Sequence, residues 1–176
     1  MQNLNDKTAL ITGGSKGIGY GIAEAFLAEG MKVAITSRST EAAQTAAQSL
    51  DPDQSGRVLP LAADVRNYAT QHAAIQQVLS TWGQLDVVIA NAGVGHFASI
   101  EELSPEQWQE TIDTNLTGVF YSTKASIDAL KASQGYLITI ASLAGTNFFA
   151  RGSADNASKF GLVGFTQAAM LDLRQY

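Results

Sequence analysis

The stretch Thr12-Gly13-Gly14-Ser15-Lys16-Gly17-Ile18-Gly19 sets Gly13, Gly17 and Gly19 in a Gly-x-x-x-Gly-x-Gly spacing. Where a strand meets a helix, such glycines permit a tight turn and close approach of the backbone to a pyrophosphate. The helix N-terminus adds free N–H groups and positive potential. Taken singly, the three glycines also suit turn and packing roles, so their place in the chain decides. A second feature is cationic. Ile35-Thr36-Ser37-Arg38-Ser39 carries no acid; Arg38 offers a planar fork for a phosphate, and Lys16 in the glycine loop offers a second charge. As isolated residues, both also pass for ordinary surface cations.

Other chemistries are excluded or disfavoured by composition. The absence of cysteine rules out disulfides, iron–sulfur clusters and thiolate zinc sites. His72 and His96 lie far apart in the chain, and no catalytic metal is expected. A formal net charge of −5 does not suit a general nucleic-acid surface. It leaves room for one phosphate held by a few well-placed cations.

The elements that must hold these residues are legible from periodicity. Thr8–Ile11 reads as a strand running into the glycine loop, and Gly17–Glu29 as a helix with Ile18, Ile22, Phe26 and Leu27 roughly on one face. Lys32–Thr36 is a second strand, Thr40–Leu50 a helix, Asp51–Gly56 a loop, and Val58–Ala62 a third strand whose Pro60 suits a sheet edge. A helix over Asn67–Trp82 precedes Leu85–Ala90, apolar enough to be buried on both faces. Ser104-Pro105-Glu106 is a helix start, with a hydroxyl cap, proline at the first position and an acid in the first turn. That helix is expected to run unbroken to about Ala132, followed by a strand at Tyr136–Ile140 and a helix over Ala154–Arg174. Strand–helix alternation with Val/Ile-rich strands implies an α/β fold with a parallel sheet of about five strands. The 176 residues, 45% hydrophobic and 15% charged, fit a single domain over 1–176. No apolar run approaches the roughly 18 residues of a membrane span. Met1–Lys7 lacks the basic flank and apolar stretch of a signal peptide. The expected compartment is the cytoplasm.

The glycine spacing, Asp64-Val65 after the third strand, Asn91-Ala92-Gly93 after the fourth, Asn115 in Asn115-Leu-Thr-Gly118, Ser142 after the fifth and Lys159 in Ala157-Ser-Lys-Phe160 fall in one order along the chain. In that order the sequence resembles the classical short-chain dehydrogenase/reductases, including their 3-oxoacyl-carrier-protein reductase-like members. The resemblance implies a Rossmann-type doubly wound sheet and hydride transfer between a nicotinamide and a small carbonyl or alcohol substrate. It implies cofactor contacts from Gly13, Ser15, Lys16, Gly17, Ile18, Gly19, Asp64, Val65, Asn91, Ala92 and Gly93, and from Lys159 at the nicotinamide ribose. NAD selection in this architecture needs an acid after the second strand. Arg38 stands there instead, and in the family basic residues at the Lys16 and Arg38 positions go with NADP(H).

Carbonyl reduction needs a hydrogen-bond donor and a proton source. The resemblance assigns the donor to Ser142, the placement of a relay water to Asn115, and the tuning of a tyrosine to Lys159. Read alone, Ser142 also fits a loop cap and Asn115 a solvent-facing helix position. The tyrosine itself is missing: its place in Tyr-x-x-x-Lys is taken by Asp155, in Asp155-Asn-Ala-Ser-Lys159. An aspartate side chain titrates near pH ~3.9 in model peptides, so it has no proton to give at neutral pH, and it is shorter than a phenol. The expectation is an impaired site in which Asp155 pairs with Lys159. The chain ends at Tyr176, where the resemblance implies a sixth strand and then a seventh would follow, so Tyr136–Ile140 is expected at an open apolar edge.

Further expectations concern loops and surfaces. Arg151 is expected to point to water, and Phe148 and Phe149 to line the cleft mouth. The two long helices, with Val119, Phe120, Phe160, Val163 and Phe165 facing outward, suggest a homodimer. The alternative reading is a non-catalytic module that binds NADP(H) or dimerises.

Overall fold

The computed structural model describes residues 4–176; residues 1–3 of the N-terminal stretch lie outside the described part. Five short apolar segments, each followed by a helix that returns the chain, pair as parallel strands: β1 (Thr8–Ile11), β2 (Lys32–Ser37), β3 (Val58–Ala62), β4 (Val87–Ala90) and β5 (Tyr136–Thr139). Their order is β3-β2-β1-β4-β5. The chain therefore steps outward in one direction from β1 to β3, then restarts on the other side of β1 with β4. Ligands of doubly wound sheets bind at such a reversal, beyond the carboxyl ends of the strands. Here those ends carry Thr12 after β1, Arg38 after β2, Asp64 after β3 and Asn91 after β4.

Alternation along the strands divides the core. Ile11, Ile35, Val87 and Ile89 pack on one face against Ala23 and Leu27 of α1 (Gly17–Ala28) and Ala46 and Ala47 of α2 (Thr40–Leu50). Leu10, Ala34, Leu61 and Val88 pack on the other against Ala74, Ile75 and Val78 of α3 (Tyr68–Trp82) and Leu130 of α5 (Gly118–Ser133). Each fully buried Leu or Ile side chain contributes about 1.5–3 kcal/mol. β1 and β4 are buried at every position. β3 forms one edge, and Pro60 is accommodated there because an edge strand needs no further ladder bond from it.

Three helices begin with a side-chain cap. Ser39 accepts from Ala42 N, Asn67 accepts from Ala69 N, and Ser104 and Gln107 form a capping box at the start of α4 (Pro105–Ile112). Helix α1 begins at Lys16 with no side-chain cap, so its first N–H groups face the loop unprotected.

Two sequence expectations need correction. The helix from Ser104 does not run unbroken: a π-helical turn over Asp113–Thr117 separates α4 from α5, and Gly118 N–H donates to the Asp113 carbonyl. A single wide turn leaves the apolar period on either side nearly unchanged, which hides it from sequence. Val119 is not outward: it is 4% exposed and packs with Ala90 and Leu162. The position is enclosed because α5 packs there against the end of β4 and against α6. The last helix, α6 (Ser153–Leu173), closes the described fold. Among the described residues, no helix is long and apolar enough to cross a membrane.

Candidate active site and cofactor cleft

A cleft of about 580 Å³ opens at the sheet reversal. Gly13, Ser15, Lys16, Gly17 and Ile18 form one wall, Arg38 and Asp64-Val65 a second, and Asn91-Ala92-Gly93 the floor. The floor is fixed by Thr12. Its Oγ1 accepts from the N–H groups of Asn91 and Ala92 at 3.0 and 3.1 Å, and Asn91 Nδ2 donates back to the Thr12 and Gly13 carbonyls at 2.9 and 3.2 Å. Gly19 lies behind the loop rather than in the wall, where a Cβ would stand 2.5 Å from Asn91 Nδ2. Gly17 is different: its φ is +59°, and a Cβ there would meet nothing within 4 Å. Open space in front of glycine backbone, at an uncapped helix N-terminus, fits a diphosphate.

At the far end, cations and carboxylates meet. Arg66 clasps Asp64, with Nη2 to Oδ2 at 2.6 Å and Nε to Oδ1 at 3.0 Å, and this bond holds the Asp64 carboxyl below the usual carboxylate range. Arg38 lines the cleft and is exposed, with one contact to Glu110 at 3.4 Å.

The remaining candidate residues, Asn115, Ser142, Asp155 and Lys159, do not form the walls of this cleft. Asn115 is 1% exposed. Its Oδ1 accepts from Val94 N–H at 2.8 Å, and its Nδ2 donates to the Val94 carbonyl at 2.9 Å and to Ser158 Oγ at 3.1 Å. Its side chain is therefore a clamp between the π-helical turn, the loop after β4 and α6. Ser142 caps the short 3-10 turn over Leu143–Gly145 by accepting from Ala144 N–H at 3.1 Å. That leaves the hydroxyl proton free to be donated. Asn156 ties this loop to α6, donating to the Ala144 and Asn147 carbonyls at 2.8 Å each.

Lys159 does not pair with Asp155. Its Nζ donates to the Ile140 carbonyl at 2.9 Å, just beyond β5, and among the described residues the Asp155 carboxylate joins no ion pair. The long lysine reaches inward along the helix to the loop, whereas the short carboxylate stays one turn behind. Burial pushes the Lys159 ammonium below its ordinary value, and the Asp155 charge pulls it partly back. Arg151 is exposed and sits 3.4 Å from Glu102. Phe148 is 88% exposed, and Phe149 packs on Phe97 with ring centroids 6.1 Å apart.

Sequence reasoning does not single out Thr12, Val94, Asn156 or Ser158, nor Thr114, which lines the cleft. Thr12 and Val94 adjoin motifs that it does identify, and adjacency is the available signal. The contacts of Asn156 and Ser158 depend on how α6 docks, which no local pattern encodes.

Compared with known proteins, residues 7–176 match the family model described as short chain dehydrogenase. The chain is 36% identical over 173 residues to the D-beta-hydroxybutyrate dehydrogenase of Cupriavidus necator, covering 98% of this chain and 67% of that protein. Among solved structures, it superposes with a TM-score of 0.91 and 32% identity on an alcohol dehydrogenase from the archaeon Thermococcus sibiricus complexed with 5-hydroxy-NADP, covering 96% of this chain and 72% of that one. It superposes with a TM-score of 0.90 and 30% identity on a 3-ketoacyl-(acyl-carrier-protein) reductase from Brucella melitensis complexed with NADH, covering 98% and 72%.

Proposed function

Because the chain belongs to the short-chain dehydrogenase family of oxidoreductases, we propose that it is an NADP(H)-dependent member acting on a small carbonyl or alcohol, with its proton-transfer step impaired by Asp155. The observation that carries this reading is the open cradle at Gly17, over the uncapped start of α1, in the same cleft as Lys16 and Arg38. Gly13, Ser15, Gly17 and Ile18 would hold the pyrophosphate, Asp64, Val65 and Asn91-Ala92-Gly93 the adenosine and ribose side, and Lys16 with Arg38 the 2′-phosphate. The absence of an acid after β2 favours NADP(H) over NAD(H). A bound nicotinamide would donate hydride to a carbonyl when reduced and accept it from an alcohol when oxidised.

The chain's own residues must handle charge on the substrate oxygen. Ser142 retains a proton to donate to it. Asn115 holds the π-helical turn and the loop after β4 in register, and Lys159 is available to the nicotinamide ribose. Asp155, where a phenol would serve as the acid, brings a negative charge next to an oxygen that is itself becoming negative. Loss of a general acid costs about 10²–10⁴ in rate. Asp155→Tyr is expected to raise NADPH-dependent carbonyl reduction by a factor of that order, measured by loss of NADPH absorbance. No gain in a variant that binds NADPH as the wild type does would sink the impairment.

Saturable quenching of protein fluorescence by NADPH, tighter than by NADH, is the expected binding result. Binding of neither would overturn the cofactor assignment. A purely cofactor-binding or dimerising module is the lesser reading, since the matched relatives are named as dehydrogenases and reductases. We propose a homodimer, on the strength of the apolar faces of α5 and α6, and keep the cytoplasm as the expected compartment.

A further inference from the structure

Beside the adenosine end of the cleft, side chains from three successive strand ends meet one carboxylate from α4. Arg38 follows β2, Arg66 follows β3 and His96 follows β4. Glu110 Oε1 lies 3.4 Å from Arg38 Nη1 and 3.7 Å from Arg66 Nη1, while Oε2 lies 2.9 Å from His96 Nε2. The two guanidinium groups are not equivalent. Arg66 has spent Nε and Nη2 on Asp64, at 3.0 and 2.6 Å, whereas the long contact to Glu110 is the one ion pair of Arg38 among the described residues. The His96 hydrogen bond holds the Glu110 carboxyl below its usual range, helped by the two arginines. Glu110 therefore carries a full negative charge at neutral pH, aimed at the cation that borders the cleft.

We propose that Glu110 is a specificity-determining residue: an internal anion that competes with the cofactor's 2′-phosphate for Arg38 and so narrows the preference for NADP(H) over NAD(H). This rests on the cofactor reading above. A phosphate arriving at Arg38 must draw the guanidinium from Glu110 or share it with a carboxylate that repels the phosphate. Arg66 cannot substitute freely, because Asp64 holds its Nε and Nη2 and its Nη1 also faces Glu110. NAD(H), with no 2′-phosphate, is indifferent to the contest. Arg38 is more than half exposed, so solvent screens the pair and the effect is moderate.

The test uses the full chain and two adenosine ligands that report this end of the cleft alone, adenosine 2′,5′-bisphosphate and 5′-AMP, titrated by calorimetry. Glu110→Gln keeps the side chain's shape and removes its charge. It is expected to tighten the bisphosphate about three- to tenfold while leaving 5′-AMP within twofold. In an Arg38→Met background, the same substitution is expected to give no gain, which separates competition for Arg38 from a general change in potential. Equal tightening of both ligands, no change, or weaker bisphosphate binding would each overturn the proposal; the last would mean that Glu110 orients Arg38 for the phosphate. Equal wild-type affinity for the two ligands would count against the NADP(H) reading by itself. The Glu110 proposal would then stand if Glu110→Gln opened a gap between them and fall if it did not. Failure of the wild type to bind either ligand would overturn both.

Discussion

Lys159 shows how burial and charge oppose each other on a single side chain. Its folded-state pKa lies below the ordinary lysine value of about 10.4, because burial outweighs the Asp155 field. The unfolded chain therefore holds the extra proton across the window between the folded pKa and the ordinary one. Stability rises with pH through that window, and the burial cost is borne in full below it. Asp155→Asn removes the charge that offsets burial. It is expected to lower the Lys159 pKa further, read by NMR titration of the lysine side chain. The variant is expected to be less stable at neutral pH, with the deficit shrinking as pH rises into the lysine range. An unchanged Lys159 titration would mean that the carboxylate is too well solvated to act across one helical turn. That Asp155 stands one turn before Lys159 was legible in sequence; that they do not pair was not. The choice depends on the Ile140 carbonyl, which the fold of β5 brings within 2.9 Å.

Glycines at the level of elements separate packing from propensity. Gly118 opens α5 directly after the π-helical turn, and a Cβ there would stand 2.8 Å from Val65 Cγ2 and 3.2 Å from the Asp113 carbonyl. Gly164 lies in α6 with nothing within 4 Å of such a Cβ. Gly118→Ala must push on a valine that lines the cleft, and is expected to cost about 1–3 kcal/mol by overpacking. Gly164→Ala is expected to gain about 0.5–1 kcal/mol from helix propensity alone. Urea unfolding of both variants checks the pair. A stable Gly118→Ala would mean that the wide turn relaxes away from Val65. The contrast also marks what sequence reading can reach. Strands such as Thr8–Ile11 and the Ser104-Pro105 helix start are written locally, in periodicity and caps. The Asn115–Ser158 clamp and the Arg38–Glu110 contact join residues far apart in the chain, so no window of sequence displays them; the π-helical turn is local, but it leaves no mark in the apolar period.

Among the described residues, two apolar surfaces compete as places for a second copy to bind. The first is the sheet edge. Tyr136 and Ile138 lie opposite Val87 and Ile89, on the face that α1 and α2 cover at the sheet centre, but they are 55% and 45% exposed because that cover does not extend to β5. The second is an aromatic face on α5 and α6. Phe120 touches Tyr121 and Phe165, with ring centroids 5.7 and 6.2 Å apart, and Phe160 is exposed nearby on α6. Edge pairing is open-ended, since an edge strand can accept any extended chain. A face between helices can bury itself against its own copy and close as a two-fold dimer. The homodimer is accordingly expected on α5 and α6. Phe120→Asp should convert it to monomer in light scattering while leaving far-ultraviolet circular dichroism unchanged. Ile138→Lys, at the edge, should suppress slow concentration-dependent aggregation and leave the dimer intact. A dimer that survives Phe120→Asp but dissociates with Ile138→Lys would reverse the assignment, making β5 the surface on which two copies meet.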